Sequence, residues 1–86
     1  MALRRVVIQV AAGLHARPAA ELARLARSSE GGLRIRAGAD LVDAASVLAV
    51  MELALAAGDR VVLEADGPGA DAVLDVAESL LAPRAS

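Results

Sequence analysis

Leu33-Arg34-Ile35-Arg36-Ala37-Gly38-Ala39-Asp40-Leu41-Val42-Asp43 decides how the rest of the chain is read. Residues 33–36 alternate apolar and charged without exception, the pattern of a strand with one dry and one wet face. Ala37-Gly38-Ala39-Asp40 reads as a turn, and Leu41-Val42-Asp43 as a short returning strand. A hairpin whose first strand alternates in this way belongs to an antiparallel sheet whose one face meets solvent. Residues 60–65 (Arg-Val-Val-Leu-Glu-Ala) carry a similar pattern and read as another strand.

Outward from the hairpin, the flanking segments supply the remaining elements. Residues 3–10 (Leu-Arg-Arg-Val-Val-Ile-Gln-Val) are rich in β-branched side chains and partly alternating, a first strand that Ala12-Gly13 interrupts. A helical pattern then runs to about Ser28, with Pro18 in its first turn and Leu22, Ala23 and Ala26 on the buried face. Gly31-Gly32 ends this unit. Ser46 suits the N-cap of a helix over 47–55 with Val47, Val50 and Met51 on one side, closed by Gly58-Asp59. After the turn Asp66-Gly67-Pro68-Gly69, residues 70–81 form the last helix, with Val73, Val76, Ala77 and Leu80 toward the core, and Pro83 begins a frayed tail. The order is β-α-β-β-α-β-α. Connections this short fit an α+β fold, one four-stranded antiparallel sheet covered on one face by three helices.

Composition bounds the possibilities. Eighty-six residues suffice for one domain, taken as 1–86. The chain is 57% hydrophobic with no Phe, Tyr or Trp, so its core is aliphatic and its absorbance at 280 nm almost nil. A net charge of -2 and the lack of stacking aromatics argue against nucleic acid as a partner. Without cysteine there is no disulfide or thiolate metal site, which fits a reducing cytoplasm, and no metal or cofactor is expected. Charges break every apolar stretch well short of the ~20 residues a membrane span requires. No signal peptide is evident in Met-Ala-Leu-Arg-Arg, and no large apolar patch argues against a monomer.

Chemistry concentrates in Gly13-Leu14-His15-Ala16-Arg17-Pro18. Glycine turns the chain out of the first strand. His15, the only histidine, stands at or beside the N-cap of the first helix. Free N–H groups and the helix dipole there favour an anion, and they favour neutral imidazole over imidazolium. A neutral ring keeps a lone pair with which to attack phosphorus. Arg17 can neutralise phosphate oxygens, and Pro18 stiffens the first turn. A capping or surface histidine is the bland alternative, weakened by the clustering of His, Arg and Pro at a strand-to-helix junction.

Gly13-Leu14-His15-Ala16-Arg17-Pro18-Ala19 resembles the active-site signature of the histidine-containing phosphocarrier (HPr) family of the bacterial phosphoenolpyruvate-dependent sugar phosphotransferase system. Chain length, element order and Ala45-Ser46-Val47-Leu48-Ala49-Val50-Met51 are similar too, and the resemblance covers residues 3–82. It implies an open-faced β-sandwich. It also implies that His15 accepts a phosphoryl group on Nδ1 from phosphorylated enzyme I, aided by Arg17, and passes it to A-type domains of sugar transporters. Leu14, Ala16 and Pro18 would flank that exchange. No acid–base pair accompanies His15 in the sequence, so a carrier fits better than a stand-alone enzyme. Other readings are a regulatory HPr-like module acting through Ser46, a nitrogen-related relay, or a small-ligand regulatory domain.

Three surface features admit two readings each. Arg17, Arg24 and Arg27 share one helical stripe, either a basic landing surface for acidic partners or an ordinary solvated face. Leu48 and Met51 are docking residues if exposed, or core if not; Val47, Val50 and Ala54 could supply the core face by themselves. Ser46 is an N-cap, and the resemblance adds regulatory phosphorylation by a serine kinase/phosphorylase with a transcriptional regulator as reader. Ala45 stands where a lysine often precedes that serine, and Ala49 where glycine is common. Ser29 replaces a frequent aromatic near the end of the first helix, and Ala12 a frequent polar residue.

Overall fold

The computed structural model describes residues 1–10 and 16–82. Their elements are β1 (Ala2–Val7), α1 (Ala16–Ser28), β2 (Arg34–Ala37), β3 (Asp40–Asp43), α2 (Val47–Glu52), β4 (Arg60–Ala65) and α3 (Ala70–Leu81). The strands form one sheet in the order β1-β4-β2-β3, every pair antiparallel. This is the expected open-faced arrangement of four strands and three helices.

Alternation settles which face is covered. Paired residues share a face of the sheet, so Ile35–Val42 and Ile35–Leu63 point one way and Arg36–Leu41 and Arg36–Val62 the other. Ile35, Val61, Leu63 and Val6 are buried on the helix side. They join Leu22 and Ala26 of α1, Val50 of α2, and Leu74, Ala77 and Leu81 of α3 in one aliphatic core. Helix α3 packs on β1 and β4, α1 lies against both α2 and α3, and α2 reaches β3.

The hairpin is tighter than the sequence implies. Ala37 and Asp40 pair with each other, which leaves a two-residue loop in which Gly38 takes φ 61°. A left-handed residue there matches the strand twist at no Cβ cost. The first strand is shorter than 3–10. Beyond Val7 the chain leaves the ladder: Ile8 N–H bonds the Asp59 carbonyl at 2.8 Å and Gln9 N–H the Leu81 carbonyl at 2.8 Å. Helix α2 stops at Glu52 rather than 55, because Ala54 turns to φ 52° and its N–H closes on the Met51 carbonyl. Ala54 is consequently exposed and contributes nothing to the core; Leu53 and Leu55 pack there instead.

One helix face was misassigned from the sequence. Val76 is 47% exposed, whereas Leu74 and Leu81 are fully buried. The buried set Ala70, Leu74, Ala77 and Leu81 advances by four, three and four residues, a clean helical stripe, while Val73 and Leu80 flank it. Val76 lies six residues past Ala70 and falls off that stripe. The tail from Pro83 lies outside the described residues.

Charge ties the ends of the chain together. Arg4 Nη1 donates to Glu78 at 2.8 Å and to Asp75 at 2.9 Å, joining β1 to α3. These two carboxylates, Glu78 first, raise the guanidinium pKa above its ordinary value. On the open face Glu64 is buried between Arg34 and Arg36, with Arg36 Nε donating to Oε2 at 3.0 Å.

Candidate phosphoryl-transfer site

Helix α1 begins at Ala16, the residue that follows His15 in the sequence. Leu14 and His15 lie outside the described residues, as do Ala12 and Gly13. Ala16 and Arg17 are exposed and Pro18 is buried at the head of the helix. Proline costs nothing at this position, since the first turn leaves its N–H groups without helical acceptors. Its ring packs inward, so Arg17 projects into solvent beside the positive end of the helix.

Arg24 and Arg27 are also exposed, so all three arginines of the stripe are accessible. Arg27 does more than solvate a face: its Nη2 donates to the Ala45 carbonyl at 3.0 Å. That bond spans eighteen residues and links α1 to the segment entering α2. Nothing in the spacing of the two residues signals it, and the sequence reading missed it.

The entry to α2 is built from short-range bonds. Asp43 Oδ1 accepts from Ala45 N–H at 2.9 Å, and the Asp43 carbonyl accepts from Ser46 N–H at 3.1 Å. Ser46 stays extended at φ -97° and ψ 105°, and its Oγ accepts from Ala49 N–H at 3.1 Å. This is the expected N-cap. Leu48 is 69% exposed and Met51 41% exposed, while Val50 is buried and Val47 partly so. Met51 therefore does not share the buried side with Val50, and the two exposed side chains form an apolar surface on the helix that packs beside α1.

Among the described residues no group of His, Asp and Glu could hold a metal ion. No helix among them is long and apolar enough to cross a membrane.

Comparison with known proteins points to one family. The family model for the PTS HPr component phosphorylation site matches residues 3–82. The phosphocarrier protein HPr of Streptomyces coelicolor is 42% identical over 83 residues, 95% of this chain and 89% of that one. The corresponding protein of Cupriavidus necator is 39% identical, covering 84% of this chain and 81% of its own. Among solved structures, the phosphocarrier protein HPr of Bacillus anthracis superposes with a TM-score of 0.86 at 26% identity, covering 93% of this chain and 95% of that one. Sequence span, strand order and helix placement agree, and the chain belongs to the HPr family of phosphotransferase-system phosphocarriers.

Proposed function

We propose that residues 1–86 act as one phosphocarrier domain in which His15 holds the phosphoryl group. The observation that carries this is the position of the chain's only histidine: inside the matched span 3–82 and immediately before α1 in sequence. The donor is phosphorylated enzyme I and the acceptors are A-type transporter domains. In each transfer the lone pair of the attacking imidazole, Nδ1 when His15 receives, forms a bond to phosphorus. The bond to the departing group breaks in the same displacement, so the phosphoryl group changes hands without net redox chemistry.

Arg17 assists both directions by offering N–H donors to the equatorial phosphate oxygens as charge redistributes. Leu14, Ala16 and Pro18 frame the site. Arg24 and Arg27 draw acidic partner surfaces, and Leu48 and Met51 give those partners an apolar contact. An exposed basic stripe on α1 beside an exposed apolar pair on α2 supports this reading. Ser46 is assigned to capping α2, the work its hydroxyl is seen to do.

The test is phosphoryl labelling. With enzyme I, Mg²⁺ and labelled phosphoenolpyruvate, label is expected on the protein, stable to alkali, labile to acid and absent from His15→Ala. Full labelling of His15→Ala would overturn the assignment.

A further inference from the structure

The uncovered face of the sheet carries positive charge that the phosphoryl chemistry does not use. Arg5 of β1 and Arg36 of β2 both stand opposite Val62 of β4, one from each side. Their Cα atoms are therefore about 10 Å apart, two strand spacings. Arg60 lies two residues along β4 from Val62, on the same face, opposite Val7 of β1. The three arginines surround a depression of about 360 Å³ beside Gly38, floored by Val7 and Val62. That volume falls in the range of small-molecule sites.

Two details distinguish this depression from a merely solvated face. No carboxylate lines it, and among the described residues neither Arg5 nor Arg60 forms an ion pair. No two of these arginines stand directly opposite one another, but like charges gathered on one face within about 10 Å repel unless something compensates them. Arg36, by contrast, is held in place. Its Nε donates to Glu64, whose side chain is only 7% exposed and also faces Arg34. That bond engages one edge of the guanidinium and leaves the terminal nitrogens to donate elsewhere. A buried carboxylate thus orients one arginine, while two others nearby have no ion-pair partner among the described residues, in a chain whose net charge is -2.

We propose that this depression binds a small organic anion carrying at least two phosphate charges, such as a nucleoside diphosphate. Guanidinium groups match phosphate oxygens in a bidentate fork, and three of them suit a charge greater than one. Val7 and Val62 offer an apolar floor to the organic part. The site lies on the sheet face opposite the helices, away from the α1 stripe.

The experiment is an amide chemical-shift titration of the intact protein with ADP and with inorganic pyrophosphate. Saturable shifts at Val7, Arg60 and Val62 are expected below about 10 mM, where a contact of a few kcal/mol already fills the site. ADP is expected to bind more tightly than pyrophosphate. Arg5→Gln and Arg60→Gln each weaken binding by roughly tenfold, the effect of one charge-assisted pair. His15→Ala leaves ADP binding unchanged, and both arginine variants label normally with phosphoenolpyruvate, which separates this site from the phosphoryl relay. Four results would overturn the proposal: no saturable shift with either probe, shifts confined to the start of α1, affinity indifferent to both arginine substitutions, or association only with anionic lipid vesicles.

Discussion

Arg27 reaches from the last turn of α1 to the carbonyl of Ala45, one residue ahead of the serine that caps α2. The bond joins the helix bearing the basic stripe to the helix bearing Leu48 and Met51. Replacing Arg27 with Gln is expected to cost about 0.5–1.5 kcal/mol in urea unfolding, the ordinary net worth of one hydrogen bond. It also frees α2 from α1, so amide exchange at Val50 should quicken more than at Leu63. Equal acceleration at both would mean the bond stabilises the molecule globally rather than fastening α2.

Ser46→Ala removes the acceptor for Ala49 N–H. A loss of about 1 kcal/mol is expected. Helix α2 has only six residues, so the effect should concentrate there and appear as faster exchange in Ala49 and Val50. Labelling by phosphoenolpyruvate should continue at nearly the native rate. A large fall in labelling would give Ser46 a part in the transfer itself.

Leu48→Ser tests docking apart from folding. At 69% exposure the side chain contributes little to the core, and unfolding stability should move by no more than about 0.5 kcal/mol. Transfer from enzyme I should slow through weaker association. A destabilised protein with unchanged transfer kinetics would return Leu48 to a packing role.

Gly31 is fixed by crowding rather than by an unusual φ. A Cβ built at this position collides with the backbone carbonyl of Asp66 in the turn before α3. Gly31→Ala therefore forces two backbones apart, with an expected loss of about 2 kcal/mol or more. Gly32→Ala meets no neighbouring atom but must hold φ 71°, and it is expected to cost less. Thermal unfolding of the two variants ranks them.

Leu74 and Val76 form the sharpest contrast on α3. Leu74→Ala should lose about 2–5 kcal/mol by cavity formation, and Val76→Ala about 0.5 kcal/mol or less. Denaturant midpoints of the pair decide which stripe faces the sheet.

That contrast also marks what sequence could reveal. Strict alternation at residues 33–36 exposed the open sheet, because a two-residue period survives even in a four-residue strand. The capping role of Ser46 was legible since it depends on a residue three positions away. Ala70-Asp71-Ala72-Val73-Leu74-Asp75-Val76-Ala77 is apolar on nearly every side, so periodicity could not single out the buried stripe. The early end of α2 was equally hidden, because Leu53, Ala54 and Leu55 are all acceptable in a helix and tertiary packing of the two leucines decides otherwise. At the candidate site, Arg17 is exposed as its place in the basic stripe suggests, whereas the pattern around Leu48 fits exposure and burial alike and only the structure shows it exposed. Arg27–Ala45 and Arg36–Glu64 join residues far apart in sequence, and only the assembled sheet and helices bring them within reach.

The Arg4 clamp on Asp75 and Glu78 has a bearing on synthesis. Strand β1 emerges from the ribosome before the other elements of this fold, yet its neighbours in the folded molecule are β4 and α3, some fifty to seventy-five residues behind. No local partner can satisfy it in the meantime. A nascent chain must keep this β-branched segment out of wrong pairings until α3 has been made, so this fold should complete late and as a unit. Stalled chains lacking α3 would then be the species most in need of a chaperone.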